Sequence, residues 1–123
     1  MRLVFELKGQ CLSGKNHKQI TRTGHCYPTK RWAAWRDEMV MAIKQQDRRQ
    51  PVTLLRDLFK ATVVFTHADK RRRDVPGMLD ALCHVLERAG IVKDDSQIVA
   101  WDVQTNLPPC RELAGVTLRL ETL

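Results

Sequence analysis

Leu3, Phe5 and Leu7 alternate with Arg2, Glu6 and Lys8, the period-two signature of a strand with one buried face. A strand therefore opens the chain. A polar run near residues 9–31 follows and reads as a loop. Beyond it Trp32, Trp35, Met39, Ala42 and Ile43 recur at three- and four-residue spacing, with Pro28 and Thr29 ahead of them as start signals. This predicts a first helix ending near Gln46. Pro51 closes that region, and a valine-rich stretch predicts a second strand over 57–66. Pro76 suits the first turn of a second helix, whose apolar stripe is Met78, Leu79, Leu82, Val85, Leu86 and Ala89 before Gly90 supplies a stop. Residues 97–103 and 115–121 alternate again, the latter setting Val116, Leu118 and Leu120 against Thr117, Arg119 and Glu121.

The order strand, helix, strand, helix, strand, strand predicts an α+β domain, a mixed sheet with two main helices packed on it. A chain of 123 residues, 43% hydrophobic, suffices for one modest core, and no linker-like stretch divides it, so residues 1–123 are read as one domain. Cys11, Cys26, Cys83 and Cys110 form no CxxC pair, and the N-terminal residues lack a secretory signal's apolar core. Reduced thiols in the cytoplasm are the expectation. No apolar stretch approaches the roughly 18 residues of a spanning helix, so a soluble protein with no membrane role is expected.

The charge of +7 and pI near 9.6 turn attention to polyanions. The cations cluster: Lys70, Arg71, Arg72 and Arg73 are adjacent, and Lys15, Lys18, Arg22, Lys30 and Arg31 spread through the early polar run. Nucleic acid is the natural partner of such a surface, although a run of cations is also what a solvated loop looks like. Acids stand close by, with Asp74 directly before the second helix, Asp80 within it, and Asp94 and Asp95 directly after it. Hydrolysis of a phosphodiester needs a cation that offsets phosphate charge and lowers the pKa of the attacking water, and hard divalent cations take carboxylate oxygens. Asp80, His84 and Glu87, at i, i+4 and i+7, share the face opposite the apolar stripe. Each acid also has a plain structural reading: a solvated helix face for Asp80 and Glu87, a helix cap for Asp74, a turn for Asp94 and Asp95. A zinc site from Cys11, His17, His25 and Cys26 has a spacing that matches no familiar finger or ribbon. Trp32 and Trp35, at helical spacing, suit a core or a subunit interface better than base stacking.

The segment Arg71-Arg72-Arg73-Asp74-Val75-Pro76-Gly77-Met78-Leu79-Asp80-Ala81-Leu82, followed by Leu86-Glu87-Arg88-Ala89-Gly90-Ile91-Val92-Lys93-Asp94-Asp95-Ser96-Gln97-Ile98-Val99, resembles the signature of the RusA-type Holliday junction resolvases. In that family a basic run leads into Asp-x-Asp-Asn, a helix, a glycine, and an Asp-Asp pair followed by a polar residue and an aliphatic pair. The likeness is tight over 71–103 and weaker elsewhere, with the Ser13-Gly14-Lys15-Asn16 loop and the Trp-containing helix at places where the family has counterparts.

The resemblance implies that Asp74 and Asp95 are catalytic metal ligands, with Asp94 as a supporting acid. It also shows departures: the second Asp of the motif is Pro76, the Asn is Gly77, the usual helix Lys is Asp80, and the helix Asp four positions on is His84. Asp80 is the candidate to replace the lost ligand, and His84 a candidate to orient water or phosphate. The implied enzyme is a phage- or prophage-type homodimer that nicks opposed strands of a four-way junction with Mg²⁺ or Mn²⁺, needs no organic cofactor, and leaves 5′-phosphate and 3′-hydroxyl ends. Residues 70–73 are expected to position the phosphate backbone at the site, and Lys15, Lys18, Arg22 and Lys30 to extend the positive surface along the DNA arms. Two rivals stand beside this reading. One is a junction- or DNA-binding protein of the same fold without catalysis, which the changes at Pro76 and Asp80 favour. The other is a basic RNA-binding module, disfavoured because acids among the cations oppose phosphate binding and aromatic RNA signatures are absent.

Overall fold

The computed structural model describes residues 2–13, 18–20, 22, 24, 26–50 and 57–123. Strand β1 (Arg2–Lys8) buries Leu3, Phe5 and Leu7 and exposes the residues between them, as its alternation requires. The following polar run contains more than a loop: β2 (Lys18–Ile20) pairs antiparallel with β3 (Cys26–Pro28) as a small separate ribbon. Pro28 thus ends a strand, and Thr29 alone caps helix α1 (Lys30–Asp47), its hydroxyl accepting from the Trp32 N–H. Trp32, Trp35, Met39 and Ile43 form the buried stripe of α1, and the two indoles, 5.2 Å apart, are core groups.

β4 (Phe59–Thr66) buries Phe59, Ala61, Val63 and Phe65. Helix α2 (Val75–Arg88) then begins at Asp74, with proline in its first turn, and buries Met78, Ala81, Leu82, Val85 and Leu86. It ends in a Schellman motif, in which the Gly90 N–H donates to the Glu87 carbonyl and the Ile91 N–H to the Leu86 carbonyl. Gly90 takes φ 79° there, a conformation that glycine adopts without the Cβ clash other residues meet. Gln97, expected to open a strand, instead closes a 3₁₀ turn (Asp95–Gln97), because its amide is used as a cap. β5 (Ile98–Asn106) starts one residue later and runs three residues beyond the alternating stretch. Its last residues, Gln104, Thr105 and Asn106, are all exposed and so carry no alternation, yet they stay in register with Val64, Phe65 and Thr66. β6 (Gly115–Thr122) closes the chain.

The four long strands form one mixed sheet in the order β1-β6-β4-β5, antiparallel except for the parallel pair β4 and β5. The inward residues of the strands and the apolar stripes of both helices share one core. Phe5, Phe59 and Phe65 are wholly buried in it, each contributing about 1.5–3 kcal/mol by burial. The architecture is the α+β mixed sheet with two helices that the sequence pattern predicts. Among the described residues no helix is long and apolar enough to cross a membrane.

The two edges of the sheet differ. Along β1, Gln50 accepts from the Val4 N–H (2.6 Å) and donates to the Val4 carbonyl (2.9 Å), and Gln46 does the same for Glu6 (2.7 and 2.8 Å). Gln46 on α1 and Gln50 in the turn just past its end thus meet alternate residues of β1 and stand in for a missing strand. At the other edge no described strand lies beyond β5.

Candidate functional site

The parallel pairing of β4 and β5 means that α2 must carry the chain from one end of the sheet back to the other. Asp74 lies where β4 leads into α2 and Asp95 where α2 leads back into β5, so the acids sit at opposite ends of a helix of 14 residues, about 21 Å long at 1.5 Å per residue.

At the first end the chain leaves β4 through His67, Ala68 and Asp69. Gln10 organises this loop: its Oε1 accepts from the Ala68 N–H (2.7 Å), and its amide lies 3.1 Å from His67 Nδ1. Burial and then the Arg73 charge push His67 below its usual 6.5. Asp69 accepts from the Arg71 N–H and the Arg73 guanidinium at 2.9 and 2.8 Å, which hold its carboxyl below the usual range. Arg73 also donates to the Arg71 carbonyl and to Gln10. Its guanidinium therefore braces the loop, and Lys70, Arg71 and Arg72 are the exposed cations of the run.

Asp74 caps α2 by accepting the Gly77 N–H (3.2 Å) on one carboxylate oxygen, while Ser13 donates its hydroxyl to the other (3.1 Å). A methyl group on Gly77 would collide with both the Ser13 hydroxyl and the Asp74 carboxylate, so glycine is required for this contact. A cleft of about 260 Å³ opens beside them, lined by Ser13, Asp74, Arg31 and the arginines 71–73. Its cations suit a phosphate group.

At the second end Glu87, Asp94 and Asp95 converge, each offering an oxygen within 4.8 Å of the others. Gln97, buried at 7% exposure, shapes this turn. Its carbonyl oxygen accepts from the Lys93 and Asp94 N–H groups (2.6 and 3.2 Å) and its amide donates to the Asp57 carbonyl (2.8 Å). Asp94 accepts from the Ser96 N–H (2.9 Å), and the Asp95 N–H donates to Glu87 (3.0 Å). The carboxyl of Asp95 is raised, first by its hydrogen bond with Asp94 and then by desolvation and the charges of Asp94 and Glu87. Asp94 is lowered by the Ser96 N–H and by that same bond to Asp95. Three exposed carboxylates so crowded that one titrates high make a donor set suited to a hard divalent cation.

Asp80 lies between the two ends, roughly 9 Å along the axis from Asp74 and 10.5 Å from Glu87 at 1.5 Å per residue, and joins neither group. Seven residues before Glu87, it shares that residue's side of α2, and Cys83 is pushed up to about 12 by burial first and then by the charges of Asp95, Asp80 and Glu87. His84, four residues on from Asp80, borders the same face. Its ring lies 6.0 Å from that of Trp32, tilted by 37°, and it is lowered by burial, Arg88 and Arg36 against the opposing charge of Glu87. The expected ligand set is therefore divided within one chain: Asp95 and Asp94 come together with Glu87, and Asp74 stands apart.

Of the outer cations, Arg22 and Lys30 are exposed, Lys15 lies outside the described residues, and Lys18 is described only as part of β2. In the zinc alternative, His17 and His25 lie outside the described residues, and burial pushes Cys11 up to about 12, which opposes the thiolate that zinc requires. Glu87 and Gln97 are the two residues of the acidic centre that the sequence reading left out of the metal set. The Gln97 signal was its place directly after an Asp-Asp-Ser turn, and that of Glu87 its place one turn before the helix stop. No family model matches the chain, and no curated protein matches it.

Proposed function

We propose that this protein is a metal-dependent endonuclease that resolves four-way DNA junctions as a homodimer in the bacterial cytoplasm. The observation that carries the reading is the convergence of Glu87, Asp94 and Asp95 in a chain that also presents an arginine-lined cleft. When Mg²⁺ or Mn²⁺ is bound by these carboxylates, it supplies charge relief for the scissile phosphate and a lowered pKa for water. The chain's own groups do the rest. Gln97 holds the Asp94 and Asp95 turn, Glu87 fixes Asp95 through its backbone N–H, and Lys70, Arg71 and Arg72 anchor the phosphate backbone.

The length of α2 adds a requirement. Ligands of one hard cation lie about 2.0–2.6 Å from it, so Asp74 and Asp95 of one chain cannot share an ion across that helix. A site using both acids takes Asp95 from one protomer and Asp74 from its partner, which makes the homodimer a condition of catalysis and pairs two equivalent sites with a symmetric substrate.

A labelled synthetic junction incubated with Mg²⁺, Mn²⁺ or EDTA tests the proposal. Paired symmetric nicks that disappear with EDTA and in Asp95→Asn are expected; metal-independent cleavage or none under any metal overturns it. The second reading, a DNA-binding protein without catalysis, is favoured by the engagement of both Asp74 oxygens with Ser13 and Gly77. Tight junction binding without cleavage is its signature.

A further inference from the structure

We infer that the homodimer forms through the free edge of β5, by antiparallel pairing of β5 with β5 of a second copy into one continuous eight-stranded sheet. The inference rests on the two-protomer site proposed above and names the surface that builds it.

The two edges of the sheet are treated differently by the fold. The β1 edge is closed by the paired amides of Gln46 and Gln50. Along β5 no described strand or side chain is hydrogen-bonded to the outer backbone edge, which leaves outward N–H and C=O groups open to a partner strand. The strand is 9 residues long, contains no proline, and carries Val99 at 52% exposure, with Leu107 at 80% just past its end.

Antiparallel pairing also joins the separated groups. The start of β5 adjoins the acidic turn of Asp94 and Asp95. Its far end adjoins the basic loop, because Leu107, Pro108 and Pro109 line a hollow with His67, Lys70 and Arg71, and the Cys110 N–H bonds the His67 carbonyl. A two-fold axis perpendicular to the sheet keeps the helices of both copies on one face and sets the acidic end of each chain beside the basic end of the other. Glu87, Asp94 and Asp95 then face the partner's cations and Asp74, twice per dimer, with opposite charges in register. A register centred on Val103 sets Asp102 opposite the partner's Gln104, avoiding a like-charge pair at the axis, and sets Val99 opposite the partner's Leu107.

Single-cysteine cross-linking under air oxidation, in a background with Cys11, Cys26, Cys83 and Cys110 replaced by alanine, tests this. In antiparallel pairs facing residues have Cβ atoms about 4.5–5.5 Å apart, close to what a disulfide takes. Val103→Cys is expected to form a disulfide-linked dimer about a thousand-fold faster than Lys44→Cys on α1 at micromolar chain, because pairing holds the two thiols at millimolar effective concentration. Thr62→Cys, on the sheet face away from the helices, reports the competing face-to-face dimer. Sedimentation of the native chain gives its mass in parallel. A dimer in which Thr62→Cys cross-links and Val103→Cys does not overturns the β5 edge and leaves the nuclease reading standing. A monomer that still cleaves junctions overturns both the edge and the shared site. A Val103→Cys dimer that never cleaves DNA supports the edge while the nuclease reading fails.

Discussion

Mixing two inactive variants distinguishes a site shared between protomers from one confined to a chain. Asp74→Asn and Asp95→Asn each remove one ligand, so either homodimer has two damaged sites and neither is expected to cleave. The argument for complementation comes from α2. Its 14 residues span about 21 Å, with Asp74 at the start and Asp95 held against Glu87 near the end, whereas two oxygens on one cation lie at most about 5 Å apart. If each site takes Asp74 from one protomer and Asp95 from the other, a mixed dimer has one site with both substitutions and one with neither.

Random reassortment of equal amounts makes half of the dimers mixed, so about a quarter of all sites become intact. The mixture is expected to regain about a quarter of native nicking on a labelled junction. Its product should differ from the native one: single nicks in place of paired resolution, because no dimer has two working sites. Differently tagged chains, co-purified after mixing, show that mixed dimers formed. If they did and the mixture stays as inactive as its parents, each site lies within one chain and the shared-site reasoning is wrong.

Removing the β1 cap in the Gln46→Ala, Gln50→Ala double variant deletes four hydrogen bonds to an edge that water can partly re-satisfy. A loss of about 2–3 kcal/mol in urea unfolding is expected, with concentration-dependent light scattering from the uncovered edge; an unchanged midpoint refutes the capping role. Gln97→Leu strips the Lys93 and Asp94 N–H groups and the Asp57 carbonyl of their partner, with an expected cost of about 2–4 kcal/mol and weaker Mn²⁺ binding by calorimetry than in the native chain. His67 and His84 are both lowered in the fold, so the unfolded chain takes up their protons first as pH falls. Their contribution to stability is complete above the unfolded value of about 6.5 and is lost as pH drops toward the folded values. Tm should fall below pH 6.5, less so in His67→Gln, His84→Gln; a Tm that rises over that window contradicts the assignment. Gly77→Ala forces the Ser13 hydroxyl and the Asp74 carboxylate apart, at an expected 1–3 kcal/mol, and junction affinity in the adjoining cleft should fall with it.

The fold was legible wherever one face of an element is buried. β1, β4 and β6 alternate because one side meets the core, and α2 shows its stripe and both ends, Pro76 and Gly90, because capping chemistry is local. The hairpin of β2 and β3 carried no such signal, since three-residue strands are too short to establish a period. The end of β5 was hidden for a different reason: Gln104, Thr105 and Asn106 belong to an exposed edge and pair only through backbone. Gln97 looked like the first residue of a strand because side-chain capping of a 3₁₀ turn leaves no hydropathy pattern. The acids flank α2 as their places in the sequence require, and what one dimension concealed was their division between its two ends. The stop at Gly90 and the start at Pro76 already gave the helix length, and with it a separation no single ion can span; the parallel pairing of β4 and β5 turns that length into opposite ends of the sheet.

Asp74 illustrates why a capping role and a ligand role need not compete. An ionised carboxylate offers about four lone-pair directions; the Gly77 N–H and the Ser13 hydroxyl occupy one on each oxygen. The remaining directions stay available to a cation brought by a second chain, while the two bonds already made fix the carboxylate's orientation, as supporting contacts do for metal ligands generally. The departures at 76 and 77 fit this arrangement. Proline in the first turn has no N–H to satisfy, and glycine gives Ser13 room to reach Asp74, so the start of α2 is shaped to hold one acid rigidly where the resembling motif carries two. Asp80, one and a half turns further along the same helix, then lies on the side of α2 that carries Glu87. In a dimer paired through β5, antiparallel copies of α2 run side by side, and Asp80 lies near the middle of that face, between the two shared sites.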